Sequence, residues 1–211
     1  MQINMYPLGP LQTNSYAICN VETNEAIVID AGADPNPILE KVSNYKVKAI
    51  LLTHAHFDHI AGLNSIREAT DAPVYIHQSE QSWLQDPDLN GSSRWPTVTD
   101  KTICEKAEFE LEDGQVLNLA GFEIRVLYTP GHSPGGISFL IDKHLFCGDA
   151  LFAQSIGRTD LPGGNYEQLM QSIQDKLMVL PDDIVCYPGH GPKTTIEAEK
   201  QYNPFITGRV R

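Results

Sequence analysis

Between Thr53 and His59 the chain reads Thr-His-Ala-His-Phe-Asp-His, which places His54, His56, Asp58 and His59 within six residues. So many polar side chains are costly to bury without partners. Divalent metal ions are the natural partner, because neutral imidazole and carboxylate are their usual ligands. Two ions suit the string better than one. His54 and His56 can point one way from an extended turn, while Asp58 and His59, on the first turn of a helix, point another. Three more residues of ligand type stand beside glycines: His132 in Pro130-Gly131-His132, Asp149 in Gly148-Asp149 and His190 in Pro188-Gly189-His190. Five of the seven histidines then belong to one site. The expected cofactor is a pair of divalent ions, zinc first, with iron or manganese also accepted by an all N/O set. Coordination lowers the pKa of water to about 7, so the expected chemistry is hydrolysis by a hydroxide held between the ions. Asp58 is both a ligand and the candidate catalytic group, holding the nucleophile's proton.

The elements that must position these residues are strands. Ala49-Ile50-Leu51-Leu52 is an unbroken apolar run, as in a strand buried on both faces, and leads directly into Thr53-His54. Phe122, Ile124, Val126 and Tyr128 alternate with Glu123 and Arg125 and end at Thr129-Pro130. The runs 137–141 and 145–147 form a hairpin leading to Gly148-Asp149, and 184–187 leads to Pro188-Gly189-His190. Ends of strands are favoured ligand sites in α/β sheets. Further strands are read at Ile3 to Met5, 15–19, 26–30 and 74–76. Helices follow Pro37, run through Ile60, Leu63 and Ile66 to Thr70, and begin behind the N-cap Asn165. This last helix puts Tyr166, Leu169, Met170, Ile173 and Leu177 on one core-facing stripe and stops at Pro181. A final helix opens on the capping box Thr194-Thr195-Ile196-Glu197. Residues 86–104, rich in Pro, Asp, Ser and Thr, read as a loop or flap. Each half thus yields a sheet with helices on one face. Two such halves that bury their bare faces make an αββα sandwich, an α/β (α+β) fold in a single domain over 1–211.

Composition narrows the function. Fifteen Lys and Arg against 27 Asp and Glu give a net charge of −12, a surface that repels nucleic-acid phosphates. The beginning of the chain has no basic and apolar leader pattern, and no apolar run reaches the length of a membrane span. Cys19, Cys104, Cys147 and Cys186 are widely spaced and read as small core residues, which fits a reducing cytoplasmic compartment. The expected partner is therefore a small molecule, with neither nucleic acid nor membrane involved.

The string Thr-His-Ala-His-Phe-Asp-His, the Pro-Gly-His at 130–132, Cys-Gly-Asp at 147–149 and the terminal Pro-Gly-His-Gly-Pro together resemble the metallo-β-lactamase fold superfamily. Within it the chain is most similar to the short glyoxalase II-like, or hydroxyacylglutathione hydrolase-like, proteins. The resemblance implies that His54, His56 and His132 bind one metal, that Asp58, His59 and His190 bind the other, and that Asp149 bridges them. It implies a four-layer αββα fold and hydrolysis of a small acyl-thiol ester of the S-lactoylglutathione kind. Aspartate rather than cysteine as the ligand at 149, despite Cys147 nearby, argues against an antibiotic hydrolase of the best-known zinc type. Asp30 resembles the aspartate that orients a ligand histidine in this family. Arg158, in Gly157-Arg158-Thr159-Asp160, is the candidate for a substrate carboxylate, with a structural ion pair to Asp160 as the alternative. Phe57 is read either as pocket or as core, and His77 and His144 as bystanders. The chain departs from classical glyoxalase II in carrying no basic C-terminal helical domain. Near its end only Lys193, Lys200, Arg209 and Arg211 are positive, so the carrier thiol stays open. The alternatives are a persulfide dioxygenase with one iron, in which the equivalents of His56, Asp58, His59 and His190 bind no metal, and a non-catalytic metal-binding domain.

Overall fold

Every run read as a strand forms one. The computed structural model describes residues 1–209, and Arg211 lies outside them. Two six-stranded sheets carry the α/β fold. The first contains β1 (Gln2–Leu8), β2 (Thr13–Asn20), β3 (Glu25–Ile29), β4 (Lys46–Leu51), β5 (Val74–His77) and β6 (Phe109–Leu111), in that spatial order. The second contains β7 (Val116–Leu119), β8 (Phe122–Tyr128), β9 (Ile137–Ile141), β10 (His144–Gly148), β13 (Val185–Pro188) and β14 (Thr194–Thr195), ordered β14-β13-β10-β9-β8-β7. A small hairpin of β11 (Leu151–Phe152) and β12 (Ser155–Ile156) follows β10. The chain forms two compact units, residues 1–111 with 118–122, and residues 112–117 with 123 onward.

In the first unit, α1 (Asn36–Val42), α2 (Phe57–Ile60) and α3 (Leu63–Thr70) accompany the sheet. Ile38, Val42, Leu63 and Ile66 from these helices share a core with Ala17, Val28, Ile50 and Val74 from the strands. Each fully buried aliphatic side chain there contributes about 1.5–3 kcal/mol. β2, β3 and β4 are buried on alternate and intervening residues alike, as an unbroken apolar run requires. The single helix expected through Ile60 to Thr70 is instead two, α2 and α3, bent at Ala61-Gly62. The bend is fixed by a close backbone approach: a Cβ on Gly62 would stand 2.2 Å from the Gly32 carbonyl oxygen. Two hydrogen bonds, Ala31 N–H to His59 O at 2.7 Å and Gly62 N–H to Ala31 O at 2.8 Å, lock it to the turn after β3.

In the second unit, α4 (Tyr166–Ser172), a wider helical turn at Ile173–Leu177 and α5 (Ile196–Tyr202) supply the helices. Leu169, Ile173, Leu177 and Ile196 pack with Leu140, Leu145, Cys147 and Cys186. Asn165 caps α4 as expected, accepting the Gln168 amide at 3.0 Å. Two expectations need correction. Tyr166 is exposed, because the first turn of α4 lies ahead of the buried stripe that starts at Leu169. The cap of α5 is Thr195, which accepts the Ala198 amide, while Thr194 pairs in β14 and donates to Glu199. Residues 86–104 hold turns and a short 3-10 helix, Ser92–Arg94, with Asn90, Ser92 and Cys104 buried. Among the described residues no helix is long and apolar enough to cross a membrane.

Candidate metal centre

In each unit a pair of parallel strands brings the chemistry together. β3 and β4 run parallel with Ile29 opposite Leu51, so the residues that follow each strand, Asp30 and Thr53-His54, emerge side by side. Asp30 takes a left-handed backbone (φ 58°), which Asp adopts more readily than most residues. Its Oδ1 accepts the Thr53 amide at 2.8 Å, and its Oδ2 accepts the Thr53 hydroxyl at 2.7 Å and faces His59 Nδ1 at 2.8 Å. A carboxylate only accepts, so the His59 proton sits on Nδ1, leaving the lone pair on Nε2 when the ring is neutral. The Thr53 hydroxyl spends its proton on Asp30 and therefore receives that of His54 Nδ1 across 3.1 Å. One buried carboxylate thus sets the tautomers of two histidines, as outer partners of metal ligands do.

The imidazoles are close. Ring centroids of His54 and His59 lie 4.1 Å apart and those of His54 and His56 4.8 Å apart. Three cationic rings at that spacing would repel one another strongly in a buried setting, so the neutral forms fit. His54, His56 and His59 are buried, and the ligand atoms of His54 and His56, of His54 and His59, and of Asp58 and His59 lie within 4.8 Å of each other. The Thr13 hydroxyl, on β2, donates to Asp58 Oδ2 at 2.7 Å. That same oxygen stands 3.6 Å from His59 Nε2. The first unit therefore carries a His/Asp cluster that can hold metal.

The second unit uses the same device. β10 and β13 run parallel with Gly148 opposite Pro188, and Gly189 N–H bonds to Gly148 O at 2.8 Å, which sets Asp149 beside His190. His132 arrives from the loop after β8, whose Thr129 amide bonds to Gly136 O. His132 Nδ1 lies 2.8 Å from the Arg158 carbonyl oxygen, an acceptor only, so here too the proton is on Nδ1. Nε2 of His132 and of His190 stand 3.6 Å and 3.5 Å from the same oxygen, Asp149 Oδ2. These separations exceed an ordinary N–H···O hydrogen bond. Two ligand atoms bound at about 2.0–2.1 Å to one tetrahedral ion stand about 3.4 Å apart, so the donor set fits metal in chemistry and in spacing.

Several residues were not legible as partners in the sequence. Thr13, Thr53 and the Arg158 carbonyl contact Asp58, His54 and His132, the candidate ligands, and only Gly157 left a trace. A Cβ there would meet the Asp149 carbonyl oxygen at 1.8 Å and His132 Nδ1 at 3.1 Å. Arg158 forks onto Asp160, Nε and Nη2 each at 2.7 Å from a carboxylate oxygen, the structural pairing named as its alternative role. The pairing holds the Asp160 carboxyl down to about 2. Cys147 turns its thiol to the Leu151 and Tyr187 carbonyls, at 3.2 Å and 3.6 Å. His77 caps the 3-10 helix Gln78–Gln85 by accepting the Ser79 amide, and His144 meets the Tyr187 hydroxyl at 3.1 Å, so both are accounted for locally. Phe57 is nearly buried, and one pocket wall includes it beside Asp58, Leu11 and Val98.

Comparison with known proteins agrees with this geometry. The family model of the metallo-beta-lactamase superfamily matches residues 8–190. The chain is 41% identical to the "probable metallo-hydrolase YqgX" of Bacillus subtilis over 99% of both chains. It is 34% identical to the hydroxyacylglutathione hydrolase GloC of Haemophilus influenzae, over 99% of this chain and 100% of that one, which supports a glyoxalase II-like relationship. Among solved structures, the BLEG-1 B3 metallo-beta-lactamase superposes with a TM-score of 0.93 at 44% identity, covering 98% of this chain and 100% of that one. A di-iron-bound form of TTHA1623 gives 0.82 at 38% identity, covering 96% and 99%. ETHE1 from Myxococcus xanthus gives 0.82 at 29% identity, covering 99% and 85%. The chain belongs to the metallo-β-lactamase superfamily and is a metallo-hydrolase within it.

Proposed function

We propose that the chain hydrolyses a small acyl-thiol ester, S-lactoylglutathione or a close relative, at a centre of two divalent metal ions. His54, His56 and His132 would hold one ion, Asp58, His59 and His190 the other, and Asp149 both. Zinc is the first choice, and the likeness to a di-iron protein keeps iron in view. The observation that carries the reading is the donor set. Acceptors hold the Nδ1 protons of His54, His59 and His132, which puts the lone pair of each neutral ring on Nε2, the atom that would bind metal. The bound ions would supply an activated water at neutral pH and polarise the scissile carbonyl.

The chain's own residues do the rest. Thr13 fixes Asp58 through Oδ2, and the Asp58 carboxylate would hold the attacking water's proton. A thiolate leaves readily, so no dedicated acid is required for it. Arg158 keeps part of its guanidinium exposed beyond the fork on Asp160, which suits one screened contact to a substrate carboxylate rather than a paired one. With a net charge of −12 and four buried free cysteines, a reducing cytoplasmic setting and a small-molecule partner, without nucleic acid or membrane, complete the proposal.

A second reading, β-lactam hydrolysis, is favoured by the 44% identity to BLEG-1 across nearly both whole chains. It runs against the expectation drawn from aspartate rather than cysteine at position 149. A panel of S-lactoylglutathione, a chromogenic β-lactam and glutathione persulfide separates the outcomes. Chelator-sensitive loss of the thioester absorbance supports the proposal. Turnover of the β-lactam alone, or oxygen uptake with the persulfide alone, replaces it by the second reading or by the dioxygenase chemistry of the ETHE1 kind.

A further inference from the structure

The backbone on both sides of His56 is held by one segment of the first unit, residues 78–90. Ala55 N–H bonds to Glu80 Oε2 at 2.5 Å, and Phe57 N–H bonds to the Asn90 carbonyl oxygen at 3.0 Å. Between these two anchors the ring of His56 lies 5.8 Å from that of Trp83, on the same 3-10 helix as Glu80. The Asn90 side chain ties the segment to itself and to the chain beyond it, its Nδ2 donating to Trp83 O and Thr102 O at 3.0 Å and 2.9 Å. Glu80 is wholly buried, at 0% exposure, as are Ala55 and Asn90. A carboxylate kept away from water at such a place is costly unless it serves specific partners, and one partner here is the amide between two histidines.

We infer that Glu80 is a positioning residue: through the Ala55 amide it fixes the aim of His54 and His56, and so sets the affinity of the one metal ion those two histidines hold. The inference rests on the two-ion reading above. In the Asp30 arrangement, by comparison, the carboxylate meets the His59 ring directly and His54 through the Thr53 hydroxyl. At the Ala55 amide Glu80 meets backbone, so there length and acceptor character matter more than charge. Glutamine preserves both, whereas aspartate keeps the charge and falls short of Ala55.

The test uses the full chain with zinc alone as probe. Affinities of the two successive ions are read by stepwise competition with a chromophoric chelator, and thermal stability is measured on the metal-free proteins. Removing an outer partner of a metal ligand costs about 10–100-fold in affinity. Glu80→Asp is expected to weaken one ion by about that factor and leave the other within threefold, while Glu80→Gln stays within threefold of wild type at both. Equal loss of both ions, or loss in Glu80→Gln with Glu80→Asp unchanged, overturns the inference, the latter in favour of a charge effect. Wild-type protein that takes up fewer than two ions defeats the two-ion reading and this inference with it. Wild type that takes up two, beside variants that alter neither, defeats only the role of Glu80.

Discussion

Asp30→Asn removes one charge and one acceptor oxygen while keeping the shape of the side chain. Asparagine tolerates the left-handed backbone that position requires (φ 58°), so strain does not confuse the result. In the protein three donors, the Thr53 amide, the Thr53 hydroxyl and His59 Nδ1, converge on the two Asp30 oxygens at 2.7–2.8 Å. An amide offers one oxygen and one NH2 group. If the oxygen faces the Thr53 amide, the NH2 points at His59 Nδ1 and favours the tautomer with the proton on Nε2, the wrong one for a ligand. If it faces the other way, the buried Thr53 N–H is left opposing a donor. Either arrangement forfeits one buried hydrogen bond, about 1–3 kcal/mol. For a chain of this length that amounts to a fall in Tm of about 2–10 °C in the metal-free protein. The larger effect is on metal: about 10–100-fold weaker zinc binding, by analogy with other outer partners. Thermal melts and chelator competition measure the two separately. Wild-type zinc affinity in Asp30→Asn would refute the claim that this carboxylate sets the histidine tautomers, and an unchanged Tm would refute the hydrogen-bond arithmetic.

Elemental analysis of purified protein is expected to find two transition-metal ions per chain. Asp149→Ala should lower occupancy at both positions, His190→Ala chiefly at one, and a single ion at saturating metal would end the dinuclear proposal. Because Arg158 already forks onto Asp160, Arg158→Ala should raise KM only about two- to fivefold, and only for substrates with a carboxylate. Equal loss on an uncharged thioester, with a lower Tm, would make it purely a partner of Asp160. Burial pushes the Cys104 thiol up to about 11 and that of Cys186 to about 12, so at pH 8 both stay protonated and unreactive when folded. An alkylating reagent should therefore leave them unlabelled until the protein is unfolded in urea, and rapid labelling of either in native protein would contradict their placement. Gly62→Ala should lower Tm by several degrees, since its Cβ would stand 2.2 Å from the Gly32 carbonyl oxygen; an unchanged melt would show that the bend between α2 and α3 can relax.

The candidate ligands stood out because they follow strand ends, directly or on the short helix α2 just beyond one, beside sharp local signals. The runs 49–52 and 184–187 announce their strands by unbroken hydrophobicity, and the Pro-Gly-His tripeptides announce where the 122–128 and 184–187 strands stop. What the sequence could not show is which strands would be neighbours. β10 pairs in parallel with β13, some forty residues on, and that pairing alone sets Asp149 beside His190. The bend at Ala61-Gly62 escaped notice for a related reason. Ile60, Leu63 and Ile66 keep helical spacing through it, because the break answers to the distant Gly32 backbone rather than to any local preference. Tyr166 misled in the opposite sense: its spacing from Leu169 and Ile173 matches the stripe, yet the first turn of α4 projects beyond the core that would cover it.

The groups that tune the ligands are the least legible part of the site, and physical chemistry says why. A metal ligand comes from a few side-chain types, chiefly imidazole, carboxylate and thiolate, so its type gives it away. Its outer partner need only accept a proton, a task that a backbone carbonyl performs as well as any side chain. His132 uses the Arg158 carbonyl and His59 uses Asp30, two unlike groups in the same role. Only the carboxylate could be guessed from residue type. The carbonyl is betrayed indirectly, by Gly157, whose missing side chain lets the chain pass against Asp149 and His132 and deliver the next residue's oxygen. The same logic ranks the two partners. An anionic acceptor makes a stronger hydrogen bond than a neutral one, so Asp30 holds the Nδ1 proton of His59 more firmly than the Arg158 carbonyl holds that of His132.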